Sequence, residues 1–301
     1  MSLRKLFFVG LICLGFLLTG ISTSGTEKMI QIKGSDTMVN LVQILAEAFM
    51  EKNPKIPIAV LGGGSGTGIS GLINGTCDIA NHSRTWKKEE LELAKKRGVE
   101  PRTFIIAIDG LSIIVNEKNP VEKLTIEQLG AIYRGEIKSW KEVGGPNKPI
   151  SLYGRQSNSG TYVFFQEHVL GNKNYSPHMK RMNGNAQIVE SVIRDKDGIG
   201  YVGIGYVIDF KTGKVRKGLK ILKIAKDEKS PAYSPLDKKA VYSGNYPIAR
   251  PLFQSTNGKP KGSVLEFIKF EIGLEGQKIV EKEGFFKIGP LHKVQNEENL
   301  K

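Results

Sequence analysis

The sequence predicts an α/β protein built as two units, and three features of it carry that prediction. Short apolar, strand-like runs alternate with amphipathic helical patterns along the chain. A strand, then a Gly/Ser/Thr loop, then a helix recurs at Ser35, at Ser65 and at Ser159. The length, 301 residues, exceeds what one core ordinarily fills. Alternation of this kind favours mostly parallel strand pairing.

Each element follows from local pattern. Met29 to Lys33 reads as a strand, broken by Gly34-Ser35-Asp36-Thr37. Leu41, Ile44, Leu45, Ala48 and Phe49 at helical spacing predict a helix from Met38 to Lys52, stopped by Asn53-Pro54. Ile56 to Leu61 is the next strand; it runs into the Gly62–Gly68 loop, with a helix from Ile69 to Asn74 behind it. Asp78 to Arg84 is a short strand ending in polar groups, and Lys88 to Arg97 a charged helix. An apolar run from Phe104 to Ile108 is interrupted by Asp109-Gly110 and resumes from Leu111 to Val115, as suits a segment passing between units. Asp109 itself fits a turn-forming residue or a site residue equally well. Beyond Pro120, helices are expected at Leu124–Tyr133 and Gln187–Ile193, with a strand at Ile199–Ile204. Lys211 to Lys226 reads as a basic surface hairpin with a solvated face, and Tyr246 to Phe253 as extended. Two amphipathic helices, Gly262–Ile272 and Leu274–Glu283, close the pattern.

Composition narrows the function. The net charge is +14, yet Lys and Arg are interleaved with Glu and Asp, as from Glu89 to Arg97. That describes a general field attracting anions rather than a nucleic-acid surface. At the N-terminus Arg4 and Lys5 precede an apolar run from Leu6 to Leu18, with small polar residues after it. This is the build of a secretory signal, too short for a membrane span. Cys13 lacks the small preceding residue of a lipoprotein signal, since Ile12 stands there, and removing the leader leaves Cys77 alone and without a disulfide partner. His82, His168, His178 and His292 have no metal-ligand spacing, so neither a metal nor a cofactor is expected.

The chemistry gathers at Arg155-Gln156-Ser157-Asn158-Ser159-Gly160-Thr161, which follows an apolar strand and precedes Tyr162, Phe165 and Val169 at helical spacing. Free backbone N–H groups at a helix start, hydroxyls and a permanently charged guanidinium make one wall of an anion site. The plainer alternative is a serine N-cap with a surface arginine. Gly66-Thr67-Gly68-Ile69-Ser70-Gly71 formally fits a dinucleotide fingerprint. It follows the second strand rather than the first and lacks the acidic residue a Rossmann unit needs, and no Gly-Lys-Ser/Thr ending marks a P-loop.

Taken together, Gly34–Thr37, Gly62–Gly68, Asp78–Arg84, Arg155–Thr161 and Tyr246–Phe253 resemble the phosphate-binding proteins of bacterial ABC phosphate uptake systems, the PstS-like periplasmic solute-binding proteins. The likeness runs from about Ile30 to Ile288, and Arg-x-x-x-Ser-Gly-Thr is its most specific part. It implies a two-lobed periplasmic-binding-protein fold of type II, with lobes joined by two hinge strands. Residues 1–25 would be the signal, 26–109 with 250–301 one lobe, and 110–249 the other. By position, Arg155 would ion-pair with phosphate, Ser159 and Thr161 would donate hydroxyls, and Gly160 a backbone N–H. Ser65 would donate from the glycine loop, and the Ser35–Thr37 turn would close the first lobe's side. Two departures matter: Ser83 stands where the family carries an aspartate that accepts the phosphate proton, and Asp36-Thr37 replaces Thr-Phe. Asp36 and Asp109 are the carboxylates able to supply that acceptor. The resemblance implies an exported, monomeric, non-enzymatic receptor that hands phosphate to a membrane permease. The alternatives are a receptor for sulfate or molybdate, a sensor or adhesin on the same scaffold, and a secreted phosphohydrolase.

Overall fold

The computed structural model describes residues 28–209 and 212–301, so the expected leader lies outside the described residues. The chain opens with β1 (Ile30–Gly34), which buries Ile30 and Ile32. It turns at Ser35–Thr37 into α1 (Val39–Lys52), whose inner face is Leu41, Val42, Leu45, Ala46 and Phe49. Then come β2 (Ile58–Gly63), α2 (Ser65–Ile73), β3 (Ile79–His82), α3 (Lys88–Lys96) and β4 (Pro101–Gly110). α2 starts at Ser65, not at Ile69 as expected, because the glycine loop itself winds into the first helical turn.

The chain then crosses into a second unit: β5 (Ser112–Asn116), β6 (Lys123–Thr125), α4 (Ile126–Arg134), β7 (Ser151–Arg155), α5 (Gly160–His168), β8 (Lys180–Met182), α6 (Asn185–Arg194) and β9 (Gly198–Val202). A capping box starts α4: Thr125 Oγ1 accepts from Gln128 N at 3.1 Å, and Gln128 Oε1 accepts from Thr125 N at 3.0 Å. Short strands β10 (Ile208–Asp209), β11 (Lys214–Val215), β12 (Leu219–Ile221) and β13 (Lys223–Ala225) lead to α7 (Lys238–Tyr242). The chain returns through β14 (Ala249–Asn257) and ends in α8 (Gly262–Ile272), α9 (Leu274–Lys282) and α10 (Pro290–Leu300).

Two five-stranded sheets result, ordered β2-β1-β3-β14-β4 and β12-β5-β9-β7-β8. Pairing is mixed rather than mostly parallel. β14 lies antiparallel to both β3 and β4, and β5 antiparallel to both β9 and β12. Every antiparallel pair of the two five-stranded sheets involves β5 or β14, the strands that follow the two crossings. One core packs Phe104, Leu252, Phe267 and Ile268 under the first sheet. Another packs Tyr133, Trp140, Phe165 and Tyr201 under the second.

Two further expectations are corrected. The 212–226 stretch is not only a surface hairpin: β12 is an edge strand of the second sheet, and Leu219, Leu222 and Ile224 are buried, while Lys220 bonds Glu122 at 2.8 Å and Lys223 is exposed. α10 was not anticipated. It docks through an amide, since Asn296 Oδ1 accepts from Ile105 N at 2.8 Å and its Nδ2 donates to Ile105 O at 2.8 Å.

One buried acid stands out in the first core. Glu271 is fully buried, with Gln254 Nε2 donating to its Oε1 at 3.1 Å and its Oε2 unpartnered. Burial holds this carboxyl well above the usual range, only partly opposed by Gln254. A carboxyl whose pKa is higher folded than unfolded stabilises the fold below its unfolded pKa and loses that contribution as pH rises. Glu271→Gln is therefore expected to match the parent near about pH 4 and to exceed it at neutral pH by about 1 kcal/mol or more, the worth of each pKa unit. Urea unfolding at the two pH values checks this; parallel pH profiles for parent and variant would refute it.

Candidate anion-binding site

Ser35, Thr37, Ser65, Ser83, Ser159 and Thr161 are all buried, and they converge where the two units face each other. Ser35 Oγ donates to Ser83 Oγ at 3.0 Å, and Ser83 N donates to Ser65 Oγ at 3.0 Å. Thr37 Oγ1 and Thr161 Oγ1 lie 2.9 Å apart across the cleft. The helix starts place these groups: α2 begins at Ser65, and Gly160 begins α5. Two helix N-termini thus bring their partial positive charge to one place. A Cβ on Gly160 would clash with Ser65 Oγ and sit 2.7 Å from Ser83 Oγ, so glycine is required for this approach.

Arg155 ends β7 and is 1% exposed. Its Nη2 donates to Asp36 Oδ2 across the cleft and to Asn183 O at 2.8 Å. Its Nε and Nη1 are buried and have no partner. Buried charged N–H groups need acceptors, so these two donors are the ones available to an anion in the cleft. The Arg155 backbone N–H donates to Tyr201 Oη at 3.0 Å, and burial pushes the Tyr201 phenol up to about 12, so it stays neutral.

The two candidate acceptor carboxylates are both engaged by arginine. Asp36 Oδ1 also accepts from Gly63 N at 2.8 Å. Asp109 is fully buried; its Oδ2 accepts from Arg250 Nε at 3.1 Å and Nη2 at 2.9 Å, and its Oδ1 from Ile204 N at 2.8 Å. Burial pushes the Asp109 carboxyl up and the Arg250 guanidinium down, each opposed by the other's charge. Ser159 Oγ is occupied as the N-cap of α5, accepting from Thr161 N at 3.2 Å and Tyr162 N at 3.4 Å.

Residue-by-residue reading missed Arg250, which donates from Nη2 to Thr161 Oγ1 at 3.0 Å and from Nη1 to Ser83 O at 3.1 Å. The available signal was a lone charge inside the apolar run Tyr246–Phe253. It also missed Tyr206, whose Oη donates to Asp36 O at 2.6 Å, and Asn185, whose buried Nδ2 is unpartnered. Cys77 takes no part: burial pushes its thiol up to about 11, and Sγ faces Gly68 O at 3.6 Å. His82 is likewise structural, buried, with its pKa lowered by burial to about 4 and its ring nitrogens on Arg84 O and Ser255 Oγ.

Two α/β lobes facing each other over buried hydroxyls, helix starts and guanidinium groups define a two-lobed solute-binding protein. The PBP superfamily domain matches residues 21–273. The chain is 32% identical to the phosphate-binding protein PstS of Pseudomonas aeruginosa, over 88% of this chain and 84% of that one. It is 34% identical to the phosphate-binding protein PstS of Staphylococcus aureus, over 94% and 88%. A crystal structure with bound phosphate from Clostridium perfringens is 31% identical, with a TM-score of 0.74 over 87% of this chain and 100% of that one. An ABC-type phosphate transport receptor from Vibrio cholerae is 29% identical, with a TM-score of 0.68 over 86% and 100%. The chain belongs to the PBP superfamily and, within it, to the family of PstS phosphate-binding proteins.

The Asp109–Arg250 pair makes a stability prediction. Arg250→Met leaves a buried carboxylate unpaired and is expected to cost about 3–5 kcal/mol, whereas adding Asp109→Leu should restore most of it. Urea unfolding of the single and double variants tests this; a single variant as stable as the parent would refute it.

Proposed function

We propose that this protein is an exported, monomeric, non-enzymatic receptor that captures inorganic phosphate between its lobes and delivers it to the permease of an ABC transporter. The observation that carries the reading is Arg155, buried in the cleft with Nε and Nη1 unpartnered beside the converging hydroxyls. The chain's similarity to proteins named for phosphate binding, and to a structure holding phosphate, supports the choice of anion.

In this reading the ligand meets Ser35, Asp36, Thr37, Ser65, Ser83, Arg155, Ser159, Gly160 and Thr161, with Asp109 and Arg250 beneath Thr161. The lobes are taken as 26–109 with 250–301, and 110–249. The charges of Asp36 and Asp109 balance those of Arg155 and Arg250, so much of the affinity falls to neutral donors: hydroxyls and the backbone N–H groups of α2 and α5. Hydroxyls both donate and accept, which suits an anion carrying a proton. A carboxylate such as Asp36 favours such an anion over fully deprotonated sulfate.

The non-enzymatic reading is supported by the site's composition. Ser65 and Ser83 hydrogen-bond to each other's groups rather than to a base, and Ser159 caps a helix. Export fits the leader pattern of residues 1–25; among the described residues no helix is long and apolar enough to cross a membrane.

Calorimetric titration of phosphate, then sulfate, into phosphate-stripped protein tests the proposal. Phosphate should saturate one site and sulfate bind far more weakly. Arg155→Ala removes two charged N–H donors and should weaken phosphate about 100-fold or more. Absent phosphate binding, or sulfate bound equally well, would overturn the reading.

A further inference from the structure

A second concave surface lies away from the cleft, where α7 meets α9 and the start of α10, and encloses about 770 Å³. Its apolar wall includes Ile272 and Ile288 together with Leu274 and Leu291, each of the two leucines 84% exposed. Leucines that stand free at the starts of two neighbouring helices leave apolar surface in water. Lys238, Lys278, Lys287 and Lys293 surround it, and no carboxylate lines it. Glu281 takes Lys238 at 3.0 Å and Lys287 at 2.6 Å. Among the described residues no ion pair engages Lys278 or Lys293.

We propose that this groove binds an amphipathic anion: an acyl chain laid against Leu274 and Leu291, its negative head held by Lys278 and Lys293. The volume lies within the range of small-molecule sites, about 300–1,000 Å³. Apolar wall and basic rim are complementary to the two halves of such a molecule. A lysine here can lay its alkyl stem along the leucines while its ammonium stays at the rim. An inorganic anion would leave the leucines in water, and a neutral hydrocarbon would leave the lysines unused. Both walls are held in place: Tyr242 Oη donates to Lys287 O at 2.7 Å, tying α7 to the segment that leads into α10.

The test is calorimetric titration of monomeric laurate into the purified protein, with dodecyltrimethylammonium, a cation of equal chain length, as control. Laurate should saturate one site, and the cation should bind at least about tenfold more weakly. Leu274→Glu, and separately Lys278→Glu with Lys293→Glu, should each weaken laurate about tenfold or more, with the melting temperature unchanged. Binding that survives both variants belongs elsewhere on the chain and overturns the proposal. So would equal affinity for the cation, absence of saturation, or binding only to phosphatidylglycerol vesicles, which would make the surface a membrane contact.

Discussion

Asp109 and Arg250 face each other at the point where both connections leave the first sheet, both buried from bulk solvent. A buried charge of this kind tolerates no loose partner, and the surroundings comply. Asp109 spends one oxygen on Arg250 and the other on a backbone N–H of the second lobe; Arg250 reaches a carbonyl of the Ser83 turn and the hydroxyl of Thr161. Its guanidinium also lies 5.0 Å from the centre of the Phe164 ring. One ion pair therefore ties together both crossings, the serine turn of the first lobe and the first turn of α5.

The two arginines divide the work. Arg250 is satisfied from within, so it holds the floor of the cleft in place. Arg155 is only half satisfied, and its backbone is steadied by Tyr201, whose ring stacks on Phe165 at 4.3 Å and sits beside Tyr133 and Tyr175. The guanidinium itself is held by Asp36 and by the Asn183 carbonyl. Its Nε and Nη1 are buried without a partner in the protein, which is what sets it apart from Arg250. Asp36 pairs with its remaining terminal nitrogen across the cleft.

What the sequence disclosed follows the range of the interactions involved. Arg155 to Thr161 could be read because strand, turn and helix start are contiguous, and their chemistry is local. Arg250 could not, because its partner lies 141 residues away and only the folded sheet brings them together. α10 escaped notice for a different reason: its anchor is the amide of Asn296 on a backbone edge, which hydrophobic periodicity does not register. β12 was masked by lysines at positions 217, 220 and 223, and its three residues, Leu219–Ile221, are too few to show a strand's two-residue alternation.

The position of β14 has a consequence for the order of events during synthesis. In the first sheet it lies between β3 and β4, although the chain reaches it only after the whole second lobe. Until residues 249–257 emerge, β3 and β4 have no strand between them to join them. The N-terminal third of the protein is therefore held unfinished until nearly all of it has been made. The second lobe, whose sheet comes from one unbroken stretch, carries no such delay.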